Sequence, residues 1–227
     1  MIYEPQHRTN INDSEKLSWP AAIYYNIFFA KLLAPTYEMI ADNIPIQNRG
    51  VIVDVGCGPG HLAYLIARKY SNLKVIGLDI SEPAIRIAKQ KKLQNLEFQI
   101  GDVHNLQLKD DSTDFIVSTL SFHHWQDQIG ALNEIYRVLS PSGKAFIYEL
   151  YSDVSDMDIN KHLTPFFRHE FFKKKVRIAL SSHGYSKAEY ETHISKIINE
   201  SLFSKSICEK TGICIRIDLN KIHNLSS

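Results

Sequence analysis

Between positions 51 and 150 the chain repeats one alternation. A short run of aliphatic and β-branched residues is followed by a turn, then by a stretch with apolar residues every three or four positions. The apolar runs are VIVDV (51–55), LKVIGLDI (73–80), LEFQI (96–100), FIVSTL (115–120) and KAFIYEL (144–150). They are nearly continuous in apolar character, which predicts strands buried on both faces. The stretches between them predict helices: HLAYLIARKY from position 61, a helix capped by Ser81 with Pro83 in its first turn and running to about Lys92, and one from about Asp127 to Leu139. Strands alternating with helices in this way predict a parallel sheet covered on both sides, with right-handed crossovers.

The flanks follow other patterns. Residues 1 to about 17 are polar. Ser18 predicts the cap of a helix that holds Pro20 in its first turn and continues as AAIYYNIFFAKLL; Pro35 interrupts it, Thr36 restarts a helix to about Asn43, and Pro45 closes the segment. After Tyr151, Thr164 and Pro165 open a helix rich in Phe and Lys that ends near Gly184. Ser186 and Glu189 form a capping-box pair for a further helix, whose Tyr190, Ile194, Ile197 and Ile198 share one face. SKSICEK, Thr211-Gly212 and ICIRIDL predict a terminal hairpin.

Composition narrows the class. The 227 residues are 44% hydrophobic and 22% charged, which suits one well-filled soluble core. A net charge of +1 supplies no global basic field toward nucleic acid. Cys57, Cys208 and Cys214 contain no C-x-x-C pair and no metal-ligand spacing, so neither a disulfide framework nor a metal is expected. MIYEPQHRTN lacks the apolar run of a signal peptide, and no window reaches the roughly 20 apolar residues of a membrane span. The expectation is a soluble, cytoplasmic protein.

The segment that carries chemistry is Val51-Ile-Val-Asp54-Val-Gly56-Cys57-Gly58-Pro-Gly60. Three glycines at the end of a buried strand let backbone approach a ligand closely, and the next helix points its N-terminus at the same spot. A dinucleotide fingerprint would place its third glycine at position 61, which is His61. Asp54, two residues before the first glycine, repels a pyrophosphate but can hold an ammonium group. Asp79 ends the second strand, where a carboxylate can accept both hydroxyls of a ribose. Asp102 follows the third strand and can accept the exocyclic amine of adenine, with Ile80 and Val103 on either side of the base. An amino-acid end, a ribose and an adenine in that order describe S-adenosylmethionine. Taken singly, the glycines also read as a structural turn, Asp54 as a buried or capping acid, and Asp79 and Asp102 as turn acids; the combination favours the ligand.

VDVGCGPG, GLDIS, GDVHNL, DDSTDFIVSTLSFHHWQD and EIYRVLSPSGKAFIYEL span roughly 51–151 in an order and spacing that resemble the class I S-adenosylmethionine-dependent methyltransferases of the small-molecule and ubiquinone/menaquinone-biosynthesis-like group. The resemblance implies a doubly wound α/β fold with a seven-stranded, mostly parallel sheet, order 3-2-1-4-5-7-6, strand 7 antiparallel. It implies cofactor contacts at Asp54, Gly56, Gly58, Asp79, Ile80, Asp102 and Val103 and at the backbone near Thr119 and Leu120; Cys57 and Gly60 complete the loop. The chain then reads as a single methyltransferase domain: an N-terminal helical cap (1–45), a cofactor-binding core (46–151), a helical insertion (152–203) and the hairpin (204–220).

The catalytic residues are not fixed by this reading. His123 and His124 follow the fourth strand, where a methyl acceptor should lie; they can take a proton from it or simply pack the loop, and the second reading is favoured. Tyr24, Tyr25 and Tyr37 stand at helical spacing and read as core, with Tyr25 the one placed to close over the methionine end. The run Phe166–Arg177 mixes aromatics with bases and reads as an amphipathic helix with a solvated basic face, against the alternatives of RNA, an acidic substrate or a membrane surface. A small molecule or lipid-like quinone is the expected acceptor, with S-adenosylhomocysteine the second product and nucleic acid not expected. A cofactor-binding regulatory subunit, an aminopropyl transferase, and a tRNA or protein methyltransferase are the rival readings; the sequence leaves the oligomeric state open.

Overall fold

Strand pairing organises the described residues, 32–45, 49–162, 170–203 and 206–221, in the computed structural model. The strands are β1 (Gly50–Val55), β2 (Leu73–Asp79), β3 (Leu96–Ile100), β4 (Thr113–Thr119), β5 (Leu139–Leu150), β6 (Ile207–Thr211) and β7 (Cys214–Asn220). They form one seven-stranded sheet in the order β3-β2-β1-β4-β5-β7-β6. The first five run parallel, and β7 is antiparallel to both β5 and β6.

Alternate residues of each central strand face opposite layers. Ile52, Val75, Phe115, Val117, Phe146 and Tyr148 pack on one side against α1 (Ala34–Asp42), α2 (His61–Lys69) and α3 (Glu82–Ala88). Val53, Val55, Ile76, Ile116, Ala145 and Ile147 pack on the other against α4 (Gln128–Val138). Each fully buried aliphatic side chain contributes about 1.5–3 kcal/mol by leaving water, so both faces of the sheet are needed.

The helix signals act where the sequence places them. The Ser81 Oγ accepts the Ala84 N–H, and the Asp127 carboxylate accepts the Gly130 N–H at 2.9 Å to cap α4. Two boundaries differ from expectation. α1 starts at Ala34 with Pro35 in its first turn, so Pro35 opens the helix and Thr36 is buried inside it. β5 begins at Leu139, directly after α4, because Leu139 pairs with Thr113 before a register shift carries the ladder to Phe115 and Lys144.

Between β5 and β6 lie α5 (Asp156–His162), α6 (Glu170–His183), α7 (Lys187–Glu189) and α8 (Ser195–Glu200). The Ser186–Glu189 capping box is formed at α7, and a π-turn over Tyr190–Ile194, not foreseen from the sequence, joins it to α8. Ile194 and Ile198 are buried on the α4 side of the sheet. In α6, Val176 and Leu180 face the core while Lys174 and Arg177 face solvent, Arg177 paired with Asp156. The hairpin turns at Gly212 (φ 64°), the first central position of a two-residue turn. The helix expected from Ser18, with Tyr24 and Tyr25, and the Thr164–Pro165 start lie outside the described residues. Among the described residues no helix is long and apolar enough to cross a membrane.

Candidate functional site

The carboxyl ends of β1, β2 and β4 meet at one cleft, built on the glycine loop. Gly56, Gly58 and Gly60 all have positive φ, at 71°, 52° and 75°. The first two residues of the loop reach across to β2: the Gly56 and Cys57 N–H groups both donate to the Leu78 carbonyl, at 2.8 and 2.9 Å. A Cβ on Gly56 would lie 2.1 Å from the Ser121 Oγ, and one on Gly60 2.4 Å from the Phe98 ring. Glycine is therefore required by conformation and by space at both positions. Lys91 Nζ holds the Pro59 carbonyl at 2.7 Å from behind the loop.

Three acids approach this loop. Asp54 is 1% exposed, and its Oδ2 accepts the Ala63 N–H of α2 at 3.1 Å. Burial pushes its carboxyl up to about 7, against that amide bond and with a smaller upward push from Asp79. Asp79 accepts the Gly58 N–H at 2.7 Å and the Ser81 N–H at 2.8 Å; burial raises its pKa and these two bonds lower it. Asp102 Oδ1 accepts the His104 N–H at 2.9 Å and lies 2.7 Å from the His104 Nδ1.

All three acids line the cleft, with Gly56, Cys57, Gly58, Ile80, Val103, Thr119, Leu120 and His124 from the sequence-predicted set. The cleft encloses about 990 Å³, part of it open to solvent. Cys57 donates to the Gly58 carbonyl through sulfur, and its Sγ lies against Gly77. Burial, with Asp54 and Asp79 nearby, raises this thiol's pKa well above the usual value. Gly60 and His123 do not line the cleft: Gly60 turns toward Phe98, and His123 points its Nδ1 at Glu149. Tyr25 lies outside the described residues.

The cleft also contains Tyr37 of α1, which the sequence reading placed in the core, and further residues to which it gave no role there. The rings of Tyr37 and of His61, the first residue of α2, are stacked at 9° at the cleft wall. Ser121 Oγ accepts the Trp125 indole N–H at 3.0 Å, so both residues fix the loop after β4. Leu120 has φ 54°, rare for a residue with a branched side chain, and its N–H donates to the Tyr148 carbonyl at 2.8 Å. The buried Thr119 Oγ1 has no hydrogen-bond partner among the described residues and sits at the cleft wall. Among the described residues no cluster of His, Cys, Asp and Glu could hold a metal.

This sheet order, with a glycine loop and three acids on one edge, is the Rossmann-like methyltransferase fold. Residues 53–147 match the family model described as a methyltransferase domain. The chain is similar to demethylmenaquinone methyltransferase of Thermotoga maritima, 38% identical over 103 residues that cover 45% of this chain and 44% of that protein. It is similar to sterol 24-C-methyltransferase of Aspergillus fumigatus, 30% identical over 169 residues, 69% of this chain and 45% of that protein. The chain spans about half the length of these curated relatives. Among solved structures, a protein of Methanococcus maripaludis assigned as an S-adenosyl-L-methionine-dependent methyltransferase superposes with a TM-score of 0.74 at 25% identity, covering 95% of this chain and 98% of that one. In its fold and in its glycine-loop core the chain is therefore similar to class I S-adenosylmethionine-dependent methyltransferases.

Proposed function

We propose that the protein transfers a methyl group from S-adenosylmethionine to a small-molecule or lipid-like acceptor held at the carboxyl edge of the sheet. The observation that carries this reading is the convergence of Asp54, Asp79 and Asp102 on a single cleft around the glycine loop. The residues fit the cofactor. Asp54 is a buried carboxylate suited to an ammonium group, Asp79 to ribose hydroxyls, and Asp102 with Ile80 and Val103 to adenine. The unpartnered Thr119 Oγ1 offers a further polar contact at the wall. Gly56, Cys57, Gly58 and Leu120 present backbone to the ligand, and Gly60 sets the turn into α2.

When bound, the cofactor supplies an activated methyl group on a sulfonium. The protein's part is alignment and exclusion of water, through the fixed loop 120–125 and the rings of Tyr37, His61 and Trp125. Similarity to proteins named for demethylmenaquinone and sterol methylation supports an apolar acceptor. The net charge of +1 supports a small molecule over nucleic acid, and three free cysteines support a cytoplasmic location. Calorimetry tests the cofactor: adenosylhomocysteine binds in the micromolar range or tighter and NAD gives no heat, whereas NAD binding without adenosylhomocysteine binding overturns the reading.

A further inference from the structure

Glu149 is the one ionisable carboxylate in the buried stretch 145–149 of β5. It continues the face of Ala145 and Ile147 at the carboxyl end of β5 and is 0% exposed. A buried carboxylate is costly unless it is paired. Its partner is His123, from the turn after β4: Oε2 lies 2.7 Å from the His123 Nδ1, and Oε1 accepts the His123 N–H at 3.4 Å. Among the described residues no Lys or Arg forms an ion pair with it. Because the carboxylate accepts, His123 Nδ1 carries the proton. The His123 ring lies against the His124 ring, with centroids 3.9 Å apart and planes tilted by 45°. His124, in turn, lines the cleft. A chain of three side chains thus runs from a fully buried acid to the wall of the site.

Resting on the methyl-transfer reading, we propose that Glu149 is a positioning residue that acts through His123 to hold His124 as the base for a protic acceptor. With both rings neutral the cluster carries one negative charge, and uptake of a single proton neutralises it. As the acceptor's nucleophilic atom bonds to the methyl carbon, the carbon–sulfur bond breaks and its electron pair stays on sulfur. The proton carried by the nucleophile passes to a ring nitrogen of His124 and from there to solvent. The positive charge lost from sulfur reappears on His124, opposite the buried carboxylate. The other titratable groups around this cleft are Asp54, Asp79, Asp102, Tyr37, His61 and Cys57, and the Cys214 thiol of β7 lies near Glu149. The inference selects acceptors that lose a proton on methylation, such as a hydroxyl, an amine or an enol-like carbon, over preformed anions.

The test uses the full chain and the variants Glu149→Gln and His124→Asn. Nitrogen-15 NMR of the histidine rings, without cofactor, is expected to show His123 protonated at Nδ1 and the His124 titration moved to lower pH in Glu149→Gln. Labelled methyl transfer from adenosylmethionine into a small-molecule extract of the host is expected to fall about 10- to 100-fold in Glu149→Gln and about 100-fold or more in His124→Asn. Both variants should bind adenosylhomocysteine within about twofold of wild type, and Glu149→Gln should move the rate's pH profile with the NMR titration. If Glu149→Gln fails to fold, His124→Asn at the cleft wall decides the base. Unchanged rates and pH profiles in folded variants overturn the proposal. A wild-type protein that binds adenosylhomocysteine but labels nothing overturns the methyl-transfer reading itself, and the proposal with it.

Discussion

The Asp79 carboxylate holds the glycine loop through the Gly58 N–H, with Oδ2 at 2.7 Å from the nitrogen. Its other oxygen ties down the start of α3 through the Ser81 N–H. Asp79→Ala removes both acceptors as well as the proposed ribose partner. The expected result is a loss of about 1–3 kcal/mol of stability and a comparable loss of adenosylhomocysteine affinity, about 10- to 100-fold. Asp79→Asn keeps one acceptor oxygen and should lose less of both. Chemical denaturation and calorimetry on the same samples check this; an alanine variant that binds like wild type contradicts the assignment.

Asp54 makes cofactor binding pH-dependent. With its carboxyl at about 7, the folded protein holds a proton that the unfolded chain releases near 3.8. Without added cofactor the protein therefore loses stability as pH rises through that window. An ammonium group beside Asp54 favours the carboxylate, so binding expels the proton. Adenosylhomocysteine affinity should fall below pH 7, by up to about tenfold per pH unit. The upward shift of Asp79 acts in the same direction. Calorimetry at pH 6 in two buffers of different ionisation enthalpy should reveal proton release, and Asp54→Asn should bind weakly with a flatter profile. A wild-type affinity that is level from pH 5.5 to pH 8 would rule out this role.

Backbone conformation, rather than lack of a side chain alone, is the requirement at Gly60. An alanine there is strained by its φ of 75° and meets the Phe98 ring at 2.4 Å. Gly60→Ala should cost at least about 2 kcal/mol in urea denaturation. Gly101→Ala, at the cleft wall, places its Cβ 3.5 Å from Leu78, an ordinary contact, and should stay within about 0.5–1 kcal/mol of wild type. Equal effects of the two substitutions would contradict this reading of the loop.

Cys57 sits inside the loop yet should be chemically inert. Burial, with Asp54 and Asp79 beside it, disfavours the thiolate. Iodoacetamide at pH 7.5 should leave Cys57 unmodified in the folded protein, by mass spectrometry, with or without adenosylhomocysteine. Rapid alkylation of the native protein would show the thiol to be exposed.

Much of the sheet and the cofactor edge of the site is legible in the sequence, because local physics sets both. Continuous apolar runs such as VIVDV and FIVSTL can only be buried from both sides, and Asp54, Asp79 and Asp102 follow from their places at strand ends. The placement of β7 between β5 and β6 came from the resemblance, since nothing local to Cys214–Asn220 says which strand it joins. The acceptor side was less legible. Glu149 and His123 are 26 residues apart and meet only because β4 and β5 are neighbours. Tyr37 and His61 come from different helices whose packing brings them to one wall. The sequence signal for Glu149 was present as an acid near the end of the run KAFIYEL, beyond the apolar residues 145–147, where it needs a buried partner. The bracing of the glycine loop by Asp79 and Lys91 gave no such signal, because it depends on the path of the loop between strands.

The most direct test of methyl transfer is labelled adenosylmethionine with purified protein and fractionated small-molecule, lipid and RNA pools of the host. The account predicts protein-dependent label in a small-molecule or lipid fraction, with adenosylhomocysteine formed in equal amount. Tight adenosylhomocysteine binding with no label in any fraction would contradict it and identify the chain as a cofactor-binding subunit without turnover.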